Sequence, residues 1–254
     1  DDPWVDKNKE KDTCRRLKKY DYIFVATKEA LAATYKIFKK NLTFPPKLLE
    51  VGYLKLDYLL NKIKKNKKEA IIIAPTGIKT FSKYTFLKDL KKITINILNN
   101  TKYNIVIRPH PRDRKNKFYI NLKEKFKNES KVSFDLSSNY LNSYLKAKMM
   151  ITDISGTAYT FSFLTLAPVI FCEKYKNNLK NEFGNLIFFQ NRNKIGKINY
   201  NKNHIHKNIF YVEDNIKEIK QNISVLRKKI KFLKKSKNTV NYFVFKILNG
   251  LPLK

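Results

Sequence analysis

The strongest constraint on this chain is the alternation of short apolar runs with amphipathic stretches between Ala70 and Cys172. Ala70 to Ala74 (AIIIA) has no polar residue to turn towards water, so it reads as a strand buried on both faces, ended by Pro75-Thr76-Gly77. A helix is expected over Tyr84 to Asn99, then a strand at Asn104 to Arg108 stopped by Pro109 and Pro111. A helix near Lys117 to Lys127 and a strand at Lys131 to Phe134 follow. A short helix at Asn139 to Ala147, a strand at Met149 to Thr152, an apolar helix from Ser155 to Leu166 and a strand at Val169 to Cys172 complete the series. This rhythm argues an α/β fold: a Rossmann-type parallel sheet with helices on both faces. Such sheets bind ligands outside the carboxyl ends of their strands, so polar residues that directly follow a strand are the candidates for function.

The flanks differ. Tyr20 to Ala26 and Leu48 to Gly52 read as two further strands, with Thr27 capping a helix whose Leu31, Tyr35 and Phe38 share a face. The charged connector Asn61 to Lys68 is the expected boundary, which gives a first unit over 1–61 and a larger one over 62–254. Towards the end, Ile216, Ile219, Ile223, Leu226, Ile230 and Leu233 recur at steps of three and four, the pattern of one helix with a narrow apolar seam. Lysines cover much of the rest, so the seam either packs on the protein or lies on an anionic membrane. The aromatic stretch Tyr242 to Leu248 reads as another packed helix.

With 43% hydrophobic residues in 254, there is material for a sizeable core. The formal net charge of +33 attracts polyanions, whether nucleic acid, anionic lipid or phosphate-rich substrates. Codons for Lys, Asn and Ile can consist of A and T alone, so a coding bias accounts for the same excess. No nucleic-acid motif stands among the basic runs, and no specific nucleic-acid partner is expected. Cys14 and Cys172 have no metal-ligand or disulfide-framework spacing, which suits a reducing cytosol. No apolar run approaches the roughly 18 residues of a membrane-crossing helix. The opening Asp1-Asp2-Pro3-Trp4 lacks Met and an apolar leader, and suggests a piece of something longer.

Two strand ends carry chemistry. In Arg108-Pro109-His110-Pro111 the prolines fix the turn, Arg108 has the geometry for a bidentate pair with phosphate, and His110 can donate to a phosphate or pass a proton. In Asp153-Ile154-Ser155-Gly156-Thr157, Ser155 is placed to cap a helix, Gly156 lets a ligand approach the backbone, and the free amides and hydroxyls suit an anion. Each is also compatible with an ordinary turn. Thr76 and Gly77, after the first strand of the series, are a weaker candidate of the same kind. Glu173 is placed to reach a ribose hydroxyl or to sit in solvent. His204 and His206 lack a third ligand nearby, so no metal site is expected, and no phosphate-loop, dinucleotide or hydrolase motif occurs.

In combination these stretches resemble the CDP-glycerol glycerophosphotransferase family, the teichoic-acid and capsule polymerases with a GT-B fold. Leu49-Glu50-Val51-Gly52-Tyr53 with Asp57 is similar to the family's "evGyprnD" segment, and Ala74-Pro75-Thr76 to its "aPTw". Val106 to Pro111 is similar to "iRPHP", and Ile151 to Phe171 to "itDySSxxfdxxxlxkPviF". The match runs from about Asp21 to Cys172 and is specific as an ordered set. It implies a GT-B-like chain in which 62–254 binds the nucleotide donor and 1–61 is the tail of an acceptor-side domain. It further implies a cytoplasmic enzyme on the inner face of the membrane. That enzyme would move an alditol phosphate from a CDP-activated donor to a hydroxyl of a polymer or lipid-linked acceptor, without a cofactor. The donor would lie on Thr76, Gly77, Arg108, His110, Asp153, Ser155, Gly156 and Thr157, with Arg108 and His110 neutralising the pyrophosphate as CMP leaves. Two departures stand out. The family's D-Y-S-S is Asp153-Ile154-Ser155-Gly156 here, and S-G-T also occurs in sugar transferases of the same fold, which keeps a CMP- or UDP-sugar donor open. The family's upstream His, read there as the base, has no counterpart, since no His precedes His110. A non-catalytic basic module binding anionic membrane or nucleic acid is the alternative of another class.

Overall fold

The computed structural model of the chain describes residues 7–63, 68–78, 84–173 and 187–253, which divide into two units, Asp1–Ile63 with Leu226–Lys254 and Lys64–Val225. In the first unit α1 (Lys7–Leu17) precedes a β–α–β crossover. Here β1 (Tyr22–Val25) and β2 (Lys47–Glu50) pair in parallel, with Tyr22 opposite Lys47, and α2 (Lys28–Lys40) joins them. Thr27 starts α2 because its extended backbone lets Oγ1 accept the Ala30 N–H at 3.1 Å. The inward face of α2 carries Thr34 and Phe38, both buried; Tyr35, expected there, is exposed. A short α3 (Leu54–Leu60) follows β2.

The second unit is one six-stranded parallel sheet. Its strands are β3 (Ala70–Ile73), β4 (Asn104–Ile107), β5 (Val132–Phe134), β6 (Ala147–Thr152), β7 (Val169–Cys172) and β8 (Gly196–Asn199). They lie in the order β5-β4-β3-β6-β7-β8. The isoleucines of β3 and the run Met149 to Ile151 of β6 are almost wholly buried, as central strands covered on both faces must be. From β3 the chain builds outward through α4 (Leu90–Asn100) to β4 and through α5 (Lys117–Lys125) to β5. It then crosses back through α6 (Leu141–Lys146) to set β6 on the other side of β3, and continues through α7 (Thr157–Thr165) to β7. Right-handed crossovers running in opposite directions along a sheet put their helices on opposite faces. Between β7 and β8 the described helices are α8 (Ile187–Gln190) and α9 (Arg192–Ile195). After β8, α10 (Ile205–Asp214) packs against α4 and β8. The direction of building reverses between β3 and β6, and in a sheet wound this way the carboxyl ends of that pair frame a crevice.

The expected elements from Ala70 to Cys172 are present, with boundaries moved by a few residues. The region Tyr84 to Asp89 is a turn and a 3₁₀ segment before α4 rather than helix. The edge strand β8 was not expected, because Gly196-Lys197-Ile198-Asn199 holds one large apolar side chain. The seam from Ile216 to Leu233 is not one helix: α11 (Ile216–Lys228) ends short of it, and Phe232 and Lys234 take left-handed backbone angles before α12 (Ser236–Leu248) begins. Ile219, Ile223, Leu226 and Ile230 are buried, so the seam packs on the protein and is not a membrane face. The stretch 226–254, expected to accompany the larger unit, belongs to the first. The reason lies in the residues read as motif. Gly52 (φ +88°) lies so close to the chain that a Cβ there would meet Ser236 Oγ at 2.3 Å, and Asp57 Oδ2 accepts the Ser236 N–H at 3.0 Å. Gly52 and Asp57 therefore seat the start of α12.

Candidate functional site

Three strand exits meet at the β3–β6 reversal. Beyond the sheet proper, Ala74 N–H donates to Ile151 O at 2.9 Å and Thr152 Oγ1 to Ala74 O at 2.6 Å. The Thr76 N–H then reaches both carboxylate oxygens of Asp153, at 3.2 and 3.1 Å. Asp153 is buried, and that burial pushes its pKa up to about 7 against the amide of Thr76, the Thr85 hydroxyl and the amides of Asp153 and Phe86. Its carboxylate thus faces the β3 turn rather than solvent, and Asp153 acts as the tie between two strands.

The β4 exit closes on the same turn. Arg108 N–H donates to Ile73 O at 2.8 Å, and the chain then makes a 3₁₀ turn at Pro111–Asp113. A Cβ on Gly77 would stand 3.1 Å from His110 Nδ1 and 3.2 Å from its Cγ, so the glycine backbone lies against the imidazole. Asp113, buried, accepts the Ile78 N–H at 2.9 Å. The β3 turn is therefore held from two sides, at Thr76 by Asp153 and at Ile78 by Asp113, with Gly77 between them on the His110 ring. His110 is half-buried, and its Nδ1 accepts the Arg112 N–H at 3.3 Å, which leaves Nε2 as the ring's outer nitrogen. Burial lowers the His110 pKa from its ordinary value, with Asp113 opposing and Arg112 and Arg114 adding to the effect, so the ring is neutral near pH 7.

Arg108 is placed differently from the phosphate clamp expected of it. Its side chain is 8% exposed, and its guanidinium is ion-paired to Asp135, donates to Ser137 O at 3.1 Å and lies 5.8 Å from the centre of the Tyr140 ring. Ser137 donates to Asp135 Oδ1 through both its amide and its hydroxyl, Ser143 donates to Oδ2, and Arg114 also donates to Ser137 O. Burial pulls the Asp135 carboxyl up, but the Ser137 and Ser143 bonds and the Arg108 charge hold it below its ordinary value. Arg108 is thus the keystone that ties the β4 exit to the β5 exit.

The remaining candidates open the edge. Ser155 and Thr157 are half-buried and Gly156 is exposed. Gly156 has ordinary helical angles, and a Cβ there would meet nothing within 4 Å, so the fold does not require glycine at that position. Thr157 shares a hydrogen bond with the Tyr144 hydroxyl, and its N–H lies 3.4 Å from Ser155 Oγ. The α7 N-terminus with these hydroxyls is a donor-rich surface, suited to an anion. Asp113, Asp135, Ser137 and Tyr144 escaped the sequence reading; in a Pro-Arg-Asp turn an acidic residue looks like a solvated one. Glu173 is neither exposed nor free for a ribose, being buried in an ion pair with Arg192, whose guanidinium stacks 3.5 Å from the Phe189 ring centre. His206 bonds Asn96 Oδ1 at 2.9 Å, and among the described residues no group of three His, Cys, Asp or Glu is placed to hold a metal ion.

No family model matches the chain, and no curated protein matches it by sequence. Solved structures do share its fold. The wall teichoic acid polymerase TagF superposes with a TM-score of 0.61 at 17% identity, over 94% of this chain and 60% of its own. A variant of TagF soaked with CDPG gives 0.62 at 16% over the same shares. Sucrose-phosphate synthase from Thermosynechococcus elongatus gives 0.51 at 11%, over 96% of this chain and 62% of its own. The chain spans about 60% of the length of TagF. The fold is thus α/β and of the GT-B type seen in these transferases.

Proposed function

We propose that this chain carries the donor-binding part of a GT-B transferase, which moves an alditol phosphate from a CDP-activated donor to a hydroxyl of a growing cell-surface polymer and releases CMP. The observation that carries the reading is the convergence of the turns after β3, β4 and β6 on one edge at the sheet's reversal, where Gly77 lies on His110 and Thr76 is tied to Asp153. The first-turn amides of α7, the hydroxyls of Ser155 and Thr157 and the outer nitrogen of neutral His110 would hold the pyrophosphate as charge develops on the leaving group. Arg108 and Asp153 would act by holding that edge in shape. The proton of the attacking hydroxyl needs a base that no histidine before His110 supplies.

Calorimetry of CDP beside UDP at moderate salt tests this, with His110→Ala and Ser155→Ala as controls. Binding of CDP that weakens about tenfold or more in either variant, the loss of one charge-assisted contact, supports the assignment; equal affinity in wild type and both variants refutes it. Preference for UDP would favour the second reading, a sugar transferase, which the open surface at Gly156 also suits.

The acceptor side of such a reaction is met at a membrane, and α12 fits that setting. Val244, Phe245 and Leu248 share one face and are 39%, 60% and 80% exposed, and no acidic residue follows Glu218. An apolar face set among lysines suits the surface of an anionic bilayer. Among the described residues no helix is long and apolar enough to cross one.

A further inference from the structure

We infer that Asp113 is a positioning residue for His110: it fixes the β3 turn so that Gly77 lies flat on the imidazole, and it sets a buried negative charge beside that ring. Three observations meet in it. Its carboxylate accepts the Ile78 N–H at 2.9 Å, one residue beyond the glycine that touches the ring. Its own N–H donates to His110 O at 2.8 Å, which closes the 3₁₀ turn and fixes where His110 points. It is buried, at 4% exposure, so its charge acts through protein rather than water.

The same residue thus governs both walls of the contact, the turn that packs on the ring and the backbone that carries the ring. Among the described residues the charged side chains acting on His110 are Asp113, Arg112 and Arg114, and of these Asp113 alone favours the protonated imidazole. The β3 turn from Pro75 to Ile78 carries no titratable side chain. Asp113 therefore sets the ring's orientation, and its charge opposes that of the two arginines. Without it the arginines and burial act unopposed.

The inference concerns the His110 edge whatever that edge binds, and rests on the donor-site reading only for the effect on nucleotide. The chain has three histidines, so the imidazole signals can be followed individually by NMR through a pH titration. In Asp113→Asn, which keeps the size and an acceptor oxygen, His110 should titrate at lower pH than in wild type while His204 and His206 stay put. Gly77→Ala approaches the contact from the other side. Its methyl would press on the ring, so the His110 resonances should shift while the titrations of the other two hold. CDP affinity, measured separately, should fall about tenfold in Gly77→Ala through displacement of the ring. Unchanged His110 titration in Asp113→Asn, or unmoved His110 resonances in Gly77→Ala, would overturn the assignment. Shifted titrations with no CDP binding in any form would instead keep the positioning role and reject the donor-site reading.

Discussion

Arg108 and Asp153 both follow strands at the carboxyl edge of the sheet, and both turn inward. The Arg108–Asp135 pair has side-chain exposures of 8% and 12%, so removing one partner leaves a nearly buried charge. Arg108→Ala should lower stability by about 3 kcal/mol in urea denaturation, a loss that any drop in ligand affinity must be judged against; an unchanged midpoint would show that the pair does not support the fold. Asp153 makes a prediction about pH. Its pKa in the folded chain is about 7, above the ordinary aspartate value of about 3.9 expected when unfolded. The folded state therefore holds that proton more tightly. This contribution is complete below the unfolded value and is lost as pH rises through about 7. Urea midpoints at pH 5 and pH 8 should differ less in Asp153→Asn than in wild type, and an identical difference would sink the argument. That these side chains stood at strand ends was legible in Arg-Pro-His-Pro and Asp-Ile-Ser-Gly-Thr. The inward turn was not, because it depends on Asp135, Ser137 and Thr76, which lie 27 to 77 residues away along the chain.

At the level of elements, the strands buried on both faces declared themselves as apolar runs, which is why β3, β4, β6 and β7 could be read directly. β8 could not, since an edge strand with Lys197 and Asn199 lacks that mark. The break between α11 and α12 was hidden for a related reason. The three-and-four spacing continues through Ile230 and Leu233, while the left-handed turns fall on Phe232 and Lys234, residues that do not announce them. What stops the helix is the docking of Ser236 on Asp57 beside Gly52. Asp57→Ala should cost about 1–2 kcal/mol, as for a lost helix cap. Gly52→Ala should cost about 2 kcal/mol or more, since it adds a positive φ penalty to a clash. Both are readable by denaturation, and a Gly52→Ala protein as stable as wild type would refute the close approach.

For the whole molecule, a charge of +33 draws the chain towards any anionic surface, so attraction alone says little about where it docks. The exposed apolar face of α12 makes the distinction. Phe245→Glu with Leu248→Glu should cut sedimentation with phosphatidylglycerol vesicles severalfold at 0.15 M salt, where simple charge attraction is already screened beyond about 8 Å; binding that survives the pair of changes would assign it to charge alone. The tie from Thr76 to Asp153 has another consequence, one of timing. It joins residues 77 positions apart, and the β3 turn cannot settle until that long loop closes. Contacts of such sequence separation form late and slow the search for the native state. A chain still emerging from the ribosome, with β3 and β4 complete but β6 unmade, has the glycine and the histidine without the carboxylate that anchors the turn. The edge therefore takes its final shape only when the sheet's second half has joined the first.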